Sequence, residues 1–203
     1  MRRFPNVAFT MAAVVSASAG ARAESGPASN VVLSGAAGLA RFAQGEQAPP
    51  LCCAERENWV AIGGYLRLGA GYRVLSWLEP GLDISAAYLR GSDGQDGARK
   101  LELSLSTIGA APRVEFRFGD PLFFVPKLAW HFEQVSGEFV ESTSAGATFE
   151  KSKSRLFTGP GLGIAIGYWV LPTLGIGGDA QGAFFGPDFS TILRIGATVS
   201  WVP

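Results

Sequence analysis

The sequence predicts an all-β protein, a closed antiparallel up-and-down transmembrane β-barrel of about eight strands. Three observations predict it. Segments of about 10 to 15 residues with period-two alternation follow one another from Asn30 to Trp201, the pattern of strands with one apolar and one polar face. Long polar loops and very short turns separate them in alternation. The composition is also oily for an exported chain, with 27 glycines, 11% aromatics, only 17% charged residues and a mean hydropathy of +0.21. Glycine at this density opposes helices, at roughly 1 kcal/mol per interior site relative to alanine.

The first element is a leader. Arg2 and Arg3 precede a mildly apolar stretch, Val7 to Val15, that runs into small residues ending Ala21-Arg22-Ala23, so residues 1–23 read as a secretory signal peptide cleaved before Glu24. Its apolar core is too short to span a bilayer, and no other stretch approaches the 18 or so uninterrupted apolar residues a membrane helix needs. Removing Arg2, Arg3 and Arg22 with the signal takes the basic count from 17 to 14 against 17 acidic residues, about −3 for the barrel domain at 24–203. So small a charge argues against a nucleic-acid partner, which needs a basic face.

The strands are expected near Val31 to Ala43, Asn58 to Val74, Gly81 to Gly91, Leu101 to Phe118, Phe123 to Val135, Arg155 to Val170, Leu174 to Phe185 and Thr191 to Trp201. In the first, Arg41 falls on the apolar parity. The second is clear, with Val60, Ile62, Leu66, Leu68, Ala70 and Tyr72 facing one way and Tyr65, Arg67 and Arg73 the other. In the fourth, Leu101, Leu103 and Leu105 are odd whereas Val114, Phe116 and Phe118 are even, so a β-bulge is expected around Gly109 to Pro112. The last alternates without a break, Leu193, Ile195, Ala197, Val199 and Trp201 against Arg194, Gly196, Thr198 and Ser200.

An even strand count puts both termini on one side, which for an outer-membrane barrel is the periplasm. The loops agree, being tight at Ser76 to Pro80, Gly119 to Leu122 and Leu171 to Thr173, and long at Gln44 to Glu57, Ser92 to Lys100 and Ser136 to Ser154. Aromatic residues sort to both ends of the strands, as headgroup-level girdles require. Tyr72, Trp77, Phe116, Phe118, Phe124, Tyr168, Trp169 and Trp201 fall at the periplasmic rim, and Phe42, Trp59, Tyr88, Trp130, Phe132, Phe157, Phe184 and Phe185 at the outer one. Tyr72-Arg-Val-Leu before Leu82-Asp83-Ile84 is echoed by Tyr168-Trp-Val-Leu before Gly178-Asp179-Ala180, which reads as repeated hairpin physics.

The inward parity collects Arg67, Arg73, Arg113, Arg117, Lys127, Arg155 and Arg194 with Asp83, Glu102, Glu115, Glu133 and Asp179. Because eight strands enclose little more than their own side chains, these nearly balanced charges are expected to form an interior polar plug. A narrow ion pathway is the functional alternative. His131, the sole histidine, shares a face with Lys127 and Glu133; a general base is one reading and a hydrogen-bonded interior histidine the other. Cys52 and Cys53 are adjacent in the first long loop, where an oxidising compartment makes a vicinal or intermolecular disulfide the default and a metal site weak. Gly159-Pro-Gly-Leu-Gly-Ile imitates a phosphate loop only superficially, since it alternates with lipid-facing residues. No catalytic residue, cofactor or metal ligand is assigned. The Ser136 to Ser154 loop has strand-like arms at Phe139-Val140 and Thr148-Phe149, so it is expected to project as a hairpin able to accept a partner's strand.

With the leader, eight amphipathic segments, loop asymmetry and aromatic rims in hand, residues 30–201 resemble the small outer-membrane β-barrel superfamily that includes opacity proteins and the barrel domain of outer-membrane protein A. The chain departs from that pattern in finishing Ser200-Trp201-Val202-Pro203 instead of on a terminal aromatic. The resemblance implies an outer-membrane location, monomeric state, lipid and the barrel-assembly machinery as partners, and a non-enzymatic scaffold whose loops 44–57 and 136–154 meet extracellular ligands. Ending at the barrel, the chain is expected to have no peptidoglycan-binding role. A narrow pore is the second reading and a lipid-modifying enzyme the third. Among enzymes the chain is most similar to outer-membrane lipid-A deacylases, but their nucleophilic serine, two residues after the histidine, is here Glu133. A soluble exported lipid-binding barrel, apolar inside and polar outside, is the remaining rival.

Overall fold

A computed structural model of the chain describes residues 30–44, 60–93, 99–143, 148–186 and 190–203. The predicted leader, Cys52, Cys53, Trp59, most of the 44–57 loop and the Ser144 to Gly146 tip lie outside the described residues. Eight strands follow in chain order, β1 (Val31–Ala43), β2 (Val60–Tyr72), β3 (Leu78–Asp93), β4 (Arg99–Phe116), β5 (Leu122–Thr143), β6 (Thr148–Leu171), β7 (Leu174–Phe185) and β8 (Ser190–Trp201). Each pairs antiparallel with the next, and β8 returns to β1 to close the barrel. No helix among the described residues is long and apolar enough to cross a membrane.

The register fixes the shape. A path that leaves β1 at Val32 runs through Gly71, Gly81, Arg113, Ala129, Gly161, Ala183 and Ile192 and returns to β1 at Phe42, ten residues further on. That stagger tilts the strands to the axis and sets an interior that side chains fill.

The outward face is apolar and exposed along the middle of every strand, at Leu39, Leu68, Ile84, Ile108, Leu128, Leu162, Ile176 and Ile195 among others. A water-facing surface this continuous would be unstable, whereas lipid is its natural solvent. The observed parity excludes a soluble barrel with its polar face outward. Outward Tyr72, Trp77, Phe118, Phe124, Tyr168 and Trp201 ring the short-turn end, and Tyr88, Trp130, Phe132 and Phe184 ring the long-loop end.

Several expectations need correction. No bulge occurs at Gly109 to Pro112, since β4 keeps one register with β3 from Leu78↔Phe116 to Asp93↔Leu101 and the odd residues from Leu103 to Glu115 all face inward. What changes there is chemistry, because the interior turns from apolar (Leu103, Leu105) to charged (Arg113, Glu115) along one face. By the same parity Glu102 lies outward and exposed, as does Ser106 with Ser104 half-buried between them, rather than in the interior network. These polar outward residues mark strand that has left the apolar belt. Phe42, Phe157 and Phe185 are buried inside instead of forming the outer girdle, and Trp169 packs against Phe123. Arg41 does sit on the outward face, exposed near the end of β1.

The 136–154 loop is largely strand. β5 and β6 pair continuously up to Ser142↔Thr148, and β3 and β4 rise beside them to Asp93↔Leu101, so the β3–β6 sheet stands above the other four strands. β6 pairs with β7 only from Gly161 onward, so among the described residues its Thr148–Thr158 stretch is paired on the β5 side alone.

Candidate functional site

The interior is layered. At its charged centre Arg113 donates from Nε to Asp83 Oδ1 at 2.7 Å, and its Nη1 lies 2.8 Å from Glu115 and 3.6 Å from Glu79. Register explains the meeting. Glu79 and Glu115 are directly opposite on β3 and β4, two acidic side chains that Arg113 bridges, and Lys127 stands opposite Glu115 on β5. Lys127 Nζ lies 3.1 Å from Glu115 and 2.8 Å from Asp179. Arg67 Nη1 reaches Asp179 at 3.2 Å and Asp83 at 3.6 Å. Each of these charged side chains is almost wholly buried, and shared partners are what make such burial tolerable.

Glycines make the room. A methyl group at Gly69 would fall on Asp83 and Ser34, one at Gly71 on Glu79, and one at Gly109 on both Glu133 oxygens. Gly109, which the sequence suggested as a bulge, is the flat floor under a carboxylate.

Nearer the long-loop end, Glu133 accepts from Arg194 Nη2 at 2.7 Å and from Ser85 Oγ at 3.2 Å, with His131 Nδ1 at 3.5 Å. Ser85 thus directs its hydroxyl to a carboxylate that Arg194 already occupies, which suits a structural network better than a nucleophile and its base. Above this tier lies an apolar cluster including Phe42, Leu89, Leu103, Leu105, Val135, Phe157, Phe185 and Ile192. Phe157 meets Phe42 and Phe185 with ring centroids 5.6 Å apart in both pairs, and Arg155 lies 5.1 Å over the Phe157 ring.

At the short-turn end Phe123 and Trp169 pack on each other with ring centroids 5.5 Å apart, and Arg117 lies against both, 5.2 and 5.3 Å from those centroids. Its nearest carboxylate contacts are long, 3.6 Å to Glu79 and 3.7 Å to Glu115. Arg73, just past β2, is half-buried at the same opening. The structure therefore brings together Arg67, Asp83, Arg113, Glu115, Arg117, Lys127 and Asp179, sets Glu133, His131 and Arg194 in a tier of their own, leaves Arg73 at the mouth, and separates Glu102 altogether.

Sequence reasoning missed Glu79, Ser85 and Gln181, all buried inside. Glu79 was lost because Pro80 reads as part of a turn, yet β3 starts at Leu78 with Pro80 exposed on its outer face. The shared parity of Glu79 and Asp83 is the signal that would have found it. Among the described residues no group of three or more His, Cys, Asp and Glu is arranged to hold a metal ion.

No protein-family model and no curated protein matches the sequence. Solved structures do. The chain is similar to Neisserial surface protein A, with a TM-score of 0.50 and 16% identity over 88% of this chain and 100% of that one. It is also similar to a major outer membrane protein from Thermus thermophilus, with a TM-score of 0.51 and 14% identity over 84% and 98%. At these identities the likeness concerns architecture, and with the exposed apolar belt and the closed register it gives the chain the fold of the small eight-stranded outer-membrane β-barrels.

Proposed function

We propose that this is a non-enzymatic integral protein of the bacterial outer membrane, a non-conducting scaffold that lifts a recognition sheet above the lipid. The observation that carries the reading is the division of labour along the axis. Below, the interior is filled by a salt-bridged network capped by an aromatic and aliphatic plug. Above, the β3–β6 sheet leaves the apolar belt, turns polar outside at Glu102, Ser106, Gln134 and Glu138, and presents one β6 edge with no strand partner among the described residues.

An unpaired edge offers backbone donors and acceptors to an extended segment of another protein, and strand addition is the simplest use of it. The short-turn end faces the periplasm in this reading, and the long-loop end the exterior. A filled interior weighs against the narrow-pore alternative, since ions would have to cross both an apolar plug and a balanced charge network.

The test joins two measurements on one pair of proteins, the parent and a version in which residues 137–153 are replaced by an Asn-Gly turn. Both are expected to fold in micelles, shown by gel migration that changes on boiling, and neither conducts in planar bilayers. Cells displaying the parent adhere to protein-coated surfaces and cells displaying the shortened barrel do not. Ohmic steps from the parent, or equal adhesion by both, would sink the proposal.

A further inference from the structure

Beyond this surface role, we propose that the short-turn mouth of the barrel is a binding site for a small oxyanion, a carboxylate or phosphate group, taken between Arg73 and Arg117. The mouth opens into a vestibule of about 690 Å³ whose walls include both arginines, Trp77, Trp169, Ser76 and Thr173. Space, donors and aromatic walls therefore coincide at one opening.

The carboxylates beneath the vestibule are engaged by other cations. Counted with Asp120 at the mouth, Arg67, Arg73, Arg113, Arg117 and Lys127 face Glu79, Asp83, Glu115, Asp179 and Asp120, five charges of each sign, so what an oxyanion would meet depends on how those carboxylates are shared. Arg113 and Lys127 take the short contacts to Glu115, at 2.8 and 3.1 Å, and Arg113 and Arg67 share Asp83. Arg117 is left with carboxylate contacts of 3.6 and 3.7 Å, beyond hydrogen-bond length.

The donors are unused as well as charged. Arg117 is 8% exposed, yet its Nε and Nη1 have no hydrogen-bond acceptor among the described residues, and neither do Nε and Nη2 of Arg73. Buried guanidinium N–H groups without acceptors are costly; Nε and Nη2 of Arg73 form one edge of its planar fork and can donate two parallel bonds to a carboxylate or phosphate, while Nε and Nη1 of Arg117 lie on different edges and donate singly. Packing against both Phe123 and Trp169 holds Arg117 in place, so little freedom is lost on binding. The hydroxyls of Ser76 and Thr173 supply further donors at the rim. Asp120, which also lines the vestibule, works against an anion and provides a control of opposite sign.

The site is tested on the full barrel in uncharged micelles by following the indole N–H signals of its five tryptophans. Sodium phosphate and sodium acetate are titrated separately against sodium chloride of equal ionic strength, with Trp77→Phe and Trp169→Phe assigning the two vestibule signals. Saturable shifts confined to Trp77 and Trp169 are expected with at least one oxyanion, and the anion that saturates identifies phosphate or carboxylate as the ligand group. Arg73→Gln should weaken the apparent affinity about tenfold, the loss of one charge-assisted contact, while leaving the boiling-dependent gel shift intact. Asp120→Asn should strengthen it. Uniform drift of all five signals, absence of saturation with both anions, or unchanged titrations in both variants would overturn the proposal.

Discussion

Replacing Glu133 by leucine removes the carboxylate that, among the described residues, pairs with the 2%-exposed Arg194 at 2.7 Å, and takes an acceptor from Ser85, while conserving volume. Arg194 is buried at that position, so the variant keeps a guanidinium out of water without its counter-charge. Breaking one partner of such a pair costs about 3–5 kcal/mol. Equilibrium unfolding in urea, followed by tryptophan fluorescence in micelles and checked by gel migration, reads this directly. With a slope of about 2 kcal/mol per molar, the midpoint should fall by roughly 2 M. The double variant Glu133→Leu with Arg194→Met removes both charges and should return to within about 1 kcal/mol of the parent, because exchanging a whole buried pair for apolar groups is close to neutral. A midpoint loss under about 0.5 M in the single variant, or a double variant no more stable than it, would refute the assignment of Glu133 and Arg194 as a mutually dependent pair.

Gly109→Ala should act on the same pair from below, lowering stability by about 1–3 kcal/mol in the same urea assay, because its methyl group displaces the Glu133 carboxylate. On the lipid face, Ile195→Arg should cost about 2–4 kcal/mol when folding is measured into vesicles, since Ile195 is 68% exposed on the apolar belt. Above the belt the sign of the pattern reverses: Ser106→Lys should change stability by less than about 0.5 kcal/mol, whereas Leu105→Ala, one residue away but fully buried, should cost about 2–5 kcal/mol in urea unfolding.

Much of the architecture was legible because period-two alternation is a local signal. It gave β1 and β7 their bounds and β8 to within a residue, and it put Arg67, Arg113, Lys127 and Asp179 on inward parity, since a strand's two faces follow from chain geometry alone. Alternation does not say which solvent each face meets. Leu103 and Leu105 look lipid-facing until the barrel is seen to rise out of its apolar belt, where the inside becomes the drier side; the supposed bulge at Gly109, the inward placement of Glu102 and the outer girdle of Phe42, Phe157 and Phe185 all came from assuming one polarity along the whole strand.

The sequence by itself determined the strand number, the alternation of short and long connections and the two faces of each strand, because these depend on neighbours along the chain. Only the tertiary structure decided the ten-residue stagger, and with it which charges meet. Glu79 confronts Glu115 and Arg113 bridges them because closure sets their heights, and Gly69, Gly71 and Gly109 make room for those charges on neighbouring strands. Contacts between residues distant in sequence are fixed by register, and register is settled only when every strand has both of its partners.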